Sequence, residues 1–181
     1  MYKLPLYILL VFSPLGFSVE AAINITLDYG STTSADIETY GGEFAEAVEF
    51  WEGQLTGYRD SGLGAPAQVL IEVNLSEIDG SGGTLGQAGP TFGNFFGNFL
   101  EATQGEMIFD TADLVSLREN ETFGDVVRHE MGHVLGLGTL WELNGVYQNG
   151  SGQYTGAAGV AAFREEFNQP DSTYVPVELD G

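Results

Sequence analysis

The sequence predicts an α+β fold, and three features of the chain lead to this prediction. Ile23, Ile25 and Leu27 alternate with polar residues, as in a strand that has one buried face. Residues 43–55 carry apolar side chains at helical spacing, and the same spacing returns in residues 122–135. Strand and helix patterns that follow one another within a short chain indicate a sheet with helices packed on it.

The rest of the chain predicts shorter elements. Residues 68–75 indicate a second strand, and residues 106–110 indicate another short one. Residues 76–90 are rich in glycine, which predicts turns. The repeat FGNFFGNF at residues 92–99 predicts a loop that is anchored by the packing of its aromatic side chains. Residues 157–167 predict a short helix.

The first residues have the layout of a secretory signal peptide. A lysine precedes an apolar run over residues 4–17, and small residues follow at Ala21 and Ala22. We expect cleavage after Ala21, so that 1–21 is the signal and 22–181 forms one domain. The alternative is an uncleaved membrane anchor, although the run is short for a transmembrane span. We expect a secreted mature protein that does not insert stably into membranes.

The chain is strongly acidic and contains no cysteine. It carries 5 Lys and Arg against 26 Asp and Glu, a formal net charge of −21. Such a surface argues against a nucleic-acid partner, because phosphate binding depends on basic patches. It favours a soluble protein, which we expect to be a monomer, and it can attract Ca²⁺. Without disulfides, the fold depends on core packing and on any bound metal ions.

The motif HEMGH at residues 129–133 contains the only two histidines of the chain. On a helix, residues four apart share one face, so the imidazoles of His129 and His133 can reach one Zn²⁺. Glu130 then lies beside the metal, where it can act on a water molecule. The alternative is a buried helix whose histidines form hydrogen bonds in the core, which would bury Glu130 or Arg128 at a cost.

Local signals support a helix around this motif. Thr122 can serve as N-cap, and Asp125 three residues on comes close to a capping-box pattern. Gly136 and Gly138 supply a stop signal, since glycine tolerates the left-handed conformation that ends helices.

A zinc ion that is held by three protein ligands is typical of a hydrolase. One coordination position stays open for water, and the metal lowers the pKa of that water and polarises a scissile carbonyl. We expect Glu130 to take the proton of the water as general base and to pass it to the leaving amine. No covalent intermediate is needed.

Three segments resemble the leishmanolysin-like metallopeptidases of the metzincin clan. HEMGHVLGLGTLW at residues 129–141 is similar to their active-site helix, and IDGSGGTLGQAGP (78–90) and GEMIFDTADL (105–114) are similar to segments upstream of it. The upstream segments are also similar to matrixin segments. The resemblance implies a zincin fold, in which a twisted mixed β-sheet packs on two main helices. It also implies a zinc endopeptidase that hydrolyses peptide bonds of polypeptide substrates.

The chain departs from the metzincin pattern after the glycine of the motif. Thr139 occupies the position of the third histidine ligand, which in leishmanolysin-like enzymes lies farther downstream. No histidine follows His133, and no methionine follows Met131 to form the methionine turn of the clan. We therefore expect an incomplete domain, with the third ligand beyond Gly181. In the alternative, a carboxylate completes the site; the candidates are Glu142, Glu165 and Glu166.

The resemblance to matrixins implies a calcium site as well. In matrixins a similar D-G-x-G-G loop and a second acidic segment surround a structural calcium ion. The loop at residues 79–84 can turn its carbonyl oxygens inward, and oxygen atoms are the ligands that Ca²⁺ uses. The alternative is an ordinary Asp-Gly turn. The candidate calcium residues are Asp79, Gly80, Gly82, Thr84, Asp110 and Asp113.

The segment Leu85, Gly86, Gln87 and Ala88 would, by the same resemblance, be an edge strand above the active-site cleft. An unpaired edge can bind an extended peptide by strand addition. The alternative is a plain strand or loop. Two function classes stay open, a secreted zinc endopeptidase and a non-catalytic secreted module that binds a metal or a protein on a protease-like scaffold.

Overall fold

The computed structural model describes residues 23–55 and 67–178, except for the side chain of residue 96. The expected signal peptide, residues 1–21, lies outside the described residues. The contacts of the chain divide it into two compact units, one up to Leu140 and one from Trp141 onward. Each unit is described by itself below.

The first unit contains a four-stranded mixed sheet in the order β1-β2-β4-β3. Strands β1, β2 and β4 run parallel to one another, whereas β3 pairs antiparallel with β4 and forms an edge of the sheet. Three helices accompany the sheet, and a fourth lies in the second unit, so the fold is α+β as predicted. The elements of the first unit are β1 (Ile23–Asp28), α1 (Ser34–Gln54), β2 (Ala67–Ser76), β3 (Gly86–Phe96), β4 (Phe99–Asp110), α2 (Leu114–Glu119) and α3 (Phe123–Val134).

The core lies between one face of the sheet and the helices α1 and α3. Along β2, Val69, Ile71 and Val73 are buried and the residues between them are exposed, because alternate side chains of a strand point to opposite faces. Phe44 of α1 and Phe123 of α3 meet edge to face, with ring centroids 5.7 Å apart. Each fully buried side chain of this size contributes about 1.5–3 kcal/mol to folding.

Helix α1 begins at Ser34, nine residues before the predicted start at residue 43. Thr33 is its N-cap: the backbone is extended there, and the Thr33 hydroxyl accepts a hydrogen bond from the Asp36 N–H at 3.2 Å. The helix continues through Gly41 and Gly42, although glycine is a poor helix former. Each glycine costs about 1 kcal/mol relative to alanine, and the buried rings of Tyr40 and Phe44 on either side offset that cost.

The prediction of an anchored loop at residues 92–99 was wrong. These residues form the end of a β-hairpin, in which β3 and β4 are joined through a turn with Gly97 at a φ of +62°. Phe92 and Phe95 are 57 % and 69 % exposed, so they do not anchor the segment by burial. A strand begins at Phe99, which makes β4 seven residues longer than predicted at its amino end. Glycine and asparagine between the phenylalanines obscured the strand pattern, because both residues are typical of turns.

The second unit contains β5 (Gln153–Tyr154), α4 (Ala157–Glu166) and β6 (Val175–Pro176). Strands β5 and β6 pair antiparallel, and the Trp141 ring packs on the Tyr154 ring with centroids 4.7 Å apart. The helix predicted at residues 157–167 is confirmed.

Candidate metal centre

Helix α3 carries the HEMGH motif and spans Phe123–Val134, as predicted to within one residue at its end. The predicted capping box is absent. Thr122 precedes the helix with nearly helical backbone angles, and its hydroxyl donates to the carbonyl of Leu117 instead of accepting from the helix. A side-chain cap needs an extended backbone at this position, and the tight connection from α2 does not provide one.

Helix α3 is held from two sides by contacts next to the motif. The indole Nε1–H of Trp51 donates to the carbonyl of Arg128 at 3.0 Å, which ties α1 to the residue before His129. On the sheet side, Gly105 of β4 has no side chain, and Val134 occupies the space that a β-carbon would fill. The absence of a side chain at Gly105 lets helix α3 approach the sheet closely at Val134.

His129 and His133 face each other at the surface of the helix. Their Nε2 atoms are 3.0 Å apart, and the two ring planes are perpendicular. His129 is exposed and His133 is half-buried, so the alternative of two core histidines is wrong. Two nitrogen ligands of a tetrahedral zinc ion lie about 3.3 Å apart, given a Zn–N distance of about 2.0–2.1 Å. The pair therefore fits one Zn²⁺ with a small adjustment.

The turn after α3 fixes the orientation of the His133 ring. Gly136 has a φ of +102°, its N–H donates to the His133 carbonyl, and the Leu137 N–H donates to the Gly132 carbonyl. These are the two hydrogen bonds of a Schellman motif, which needs glycine at this position. The motif places the Leu137 carbonyl 2.8 Å from Nδ1 of His133. The stop signal at Gly136 and Gly138 is confirmed.

Thr139, at the position of the third histidine of typical metzincins, contacts the helix end. Its hydroxyl donates to the carbonyl of His133 at 2.6 Å. Residue 139 thus caps the carboxyl end of α3. Glu142, Glu165 and Glu166 belong to the second unit, and the structure leaves their role as third ligands untested. Within residues 23–55 and 67–178, no group of three histidine, cysteine, aspartate or glutamate side chains is arranged to hold a metal ion.

Glu130 lies between the histidines in sequence but is buried, with 8 % of its surface exposed. Burial raises the pKa of Glu130 above its ordinary value, and the nearby His133 partly offsets this rise. Its side chain packs against Gly86, the first residue of β3.

Of the predicted substrate segment, Leu85 precedes strand β3, and Gly86, Gln87 and Ala88 lie in it. The predicted edge strand is confirmed, and its role in substrate binding stays a prediction.

The candidate calcium loop is organised around Asp110. Its Oδ2 atom accepts hydrogen bonds from the N–H groups of Ile78, Asp79 and Gly80, and its Oδ1 atom accepts one from Ala112. These four hydrogen bonds, of which the one from Ala112 has the largest effect, lower the pKa of Asp110 below its ordinary value. The loop thus turns N–H groups towards this carboxylate, where we expected carbonyl oxygens to point inward.

The other two aspartates of the loop are held in the same manner. Asp113 accepts hydrogen bonds from the Gly82 N–H and the Ser81 hydroxyl, and Asp79 accepts from the N–H and hydroxyl of Thr84. Asp113 is 3 % exposed, and its Oδ2 atom is buried without a hydrogen-bond partner. The sequence placed these aspartates together correctly but did not reveal their use as acceptors for backbone N–H groups.

Comparison of the chain with models of known protein families and with curated protein sequences finds no match. Among the helices of the described residues, none combines the length and the apolar character needed to cross a membrane.

Proposed function

We propose that this protein is a secreted zinc-dependent endopeptidase of the metzincin type, with His129 and His133 as zinc ligands and Glu130 as general base. The observation that carries the proposal is the pair of Nε2 atoms 3.0 Å apart on one helix face, next to a buried glutamate. The mixed sheet with an antiparallel edge strand next to the motif helix is consistent with a zincin fold.

The orientation of His133 supports zinc binding. A carbonyl oxygen can only accept, so Nδ1 of His133 carries the proton that it donates to Leu137. The lone pair of a neutral imidazole is then on Nε2, the atom that faces His129. Hydrogen bonds of this kind commonly fix the tautomer of metal-binding histidines.

Glu130 is suited to act as a base. Its raised pKa makes it a stronger proton acceptor than an exposed glutamate, because burial disfavours the charged carboxylate. When bound, Zn²⁺ acts as a Lewis acid that activates water and polarises a carbonyl. Glu130 would accept the proton of the attacking water and deliver it to the amine that leaves.

The free edge of β3 supports a polypeptide substrate. Among the residues that the structure describes, β3 pairs with β4 on one side only, and Gly86 at its start lies against Glu130. An extended peptide can add to such an edge through main-chain hydrogen bonds. Peptide bonds of a substrate aligned in this way would pass beside the general base.

We propose Ca²⁺ as a second ion, bound at the loop around Asp113. The buried Oδ2 atom of Asp113 supports this proposal, since a buried carboxylate oxygen without a partner is costly and a cation would compensate it.

The test of the peptidase is a comparison of the zinc-loaded full-length protein with its Glu130→Gln variant on an unstructured polypeptide. We expect the wild type to cleave internal peptide bonds and the variant to lose about 10²–10⁴-fold in kcat, with its zinc content unchanged. Equal activity of the two proteins would overturn the role of Glu130. A zinc-loaded wild type without any cleavage would favour the non-catalytic module.

A further inference from the structure

Gly86 lies closer to Glu130 than a residue with a side chain normally could. A β-carbon at Gly86 would lie 3.0 Å from Cγ and 3.3 Å from Cδ of Glu130, and 3.1 Å from Cδ1 of Phe109. These distances are shorter than ordinary van der Waals contacts between carbon atoms, which are about 3.5–4.0 Å. An alanine at this position would therefore displace one of its two neighbours.

The backbone does not explain the glycine. The φ angle of Gly86 lies outside the left-handed region that favours glycine, as does that of Gly89 in the same strand. A β-carbon at Gly89 would meet no atom within 4 Å. The two glycines thus differ in their surroundings, and only Gly86 is tightly packed.

Of the two neighbours, Glu130 is the one that can move. Phe109 is fully buried, and its ring is fixed edge to face against Phe44 and Phe123, with centroids 5.4 Å away in both cases. Interiors packed at this density do not shift readily. Glu130 has a flexible side chain and no aromatic ring wedged among others, so a β-carbon at position 86 would shift the glutamate rather than Phe109.

We infer that Gly86 is a positioning residue for Glu130: it keeps open the space that the glutamate side chain needs to hold its carboxylate in its present position on the helix that carries the two histidines. This inference rests on the proposed function. A β-carbon at position 86 would require a shift of a few tenths of an ångström. Because displacement of a catalytic group by about 1 Å can cost on the order of 10²-fold in rate, we expect this smaller shift to have a smaller but measurable effect on catalysis.

The first experiment measures kcat and KM of Gly86→Ala in the zinc-loaded full-length protein. The matched control is Gly42→Ala in helix α1, where a β-carbon would also meet no atom within 4 Å. We expect Gly86→Ala to lower kcat about 3–10-fold with KM near that of the wild type, and we expect Gly42→Ala to keep the wild-type kcat. An increase in KM at constant kcat would show that Gly86 acts on substrate binding and would overturn the inference.

The second experiment does not depend on activity. Denaturant midpoints are measured for Gly86→Ala in the wild-type background and in a Glu130→Ala background, where the contact with Glu130 is removed. We expect the midpoint decrease caused by Gly86→Ala to be at least halved in the second background. Equal decreases would overturn the inference even if the protein is a peptidase. If the decrease is halved but the zinc-loaded protein cleaves no peptide, the contact between Gly86 and Glu130 is upheld and the proposed function is refuted.

Discussion

Nδ1 of His133 lies 2.8 Å from the carbonyl oxygen of Leu137, in the turn that ends helix α3. The two residues are four positions apart in sequence, and the Schellman motif at Gly136 brings them together. The residue that ends the helix therefore also determines which nitrogen of His133 is free for a metal. Helix termination and ligand orientation are coupled at this site.

Gly136→Ala is expected to weaken zinc binding about 10–100-fold, since the turn that carries the Leu137 carbonyl would be strained. The φ of +102° disfavours a side chain, and a β-carbon would lie 3.0 Å from Leu140. We expect the free energy of unfolding to fall by about 1–2 kcal/mol. Zinc titration and denaturant unfolding measure the two effects.

Gly145→Ala is the matched control, because Gly145 also has a positive φ (+67°) but its β-carbon would meet no atom within 4 Å. It should lose stability from the backbone strain alone and keep the zinc affinity of the wild type. If both variants bind zinc like the wild type, the turn does not orient His133.

Asp110→Asn is expected to lower the melting temperature at neutral pH. The carboxylate accepts four N–H groups from the loop and from Ala112, and an amide can accept through only one of its two ends. We also expect the segment that leads into β3 to become more accessible to hydrogen exchange. Asp125→Asn, at an exposed side chain on α3, is the control and should change little.

The pH dependence of this stabilisation follows from the lowered pKa of Asp110. The folded protein favours the carboxylate, so its contribution is complete above the ordinary pKa of 3.8 and is lost as the pH falls through the lower pKa of the folded state. The difference in melting temperature between wild type and Asp110→Asn should therefore shrink in acid below that value. A difference that is constant down to the lowest accessible pH would show that the charge of Asp110 is not involved.

Added Ca²⁺ is expected to raise the melting temperature of the zinc-loaded wild type by several degrees, because binding to the native state stabilises it. Asp113→Asn should abolish this increase, since it removes the charge of the buried carboxylate. Mg²⁺ at the same concentration is the control for ionic strength. An unchanged melting temperature with Ca²⁺ would show that the loop binds no calcium and is a turn held by its own N–H groups.

The sequence predicted those parts of the fold that rest on local periodicity. Helix α3 and the alternating strand β2 are close to their predicted bounds because buried side chains recur there at regular spacing. Helix α4 is also close to its predicted bounds, although Val160 is its one buried residue. The start of α1 was missed: the helix begins after a cap at Thr33 and passes through Gly41 and Gly42, which are poor helix formers. The hairpin of β3 and β4 was missed because Gly93, Asn94 and Gly97 are turn residues in sequence.

The candidate site was predicted as far as its motif extends. His129, Glu130 and His133 lie within five consecutive residues, and helical spacing alone brings the histidines together. The contacts of Leu137 with His133 and of Gly86 with Glu130 depend on the turn geometry and on the pairing of strands distant in sequence. A single sequence shows neither which carbonyl oxygen faces a histidine nitrogen nor which side chain fills the space beside a glycine.

The most direct test of the central proposal is the zinc stoichiometry of the metal-free protein after titration, in the wild type and in His129→Ala, His133→Ala and Glu130→Gln. His129 is exposed and His133 half-buried, so circular dichroism should show intact folding in both histidine variants. We predict one zinc ion per wild-type chain, a loss of binding in each histidine variant and unchanged binding in Glu130→Gln. A wild type that binds no zinc, or histidine variants that bind it as tightly as the wild type, would contradict the assignment of this helix as a zinc centre.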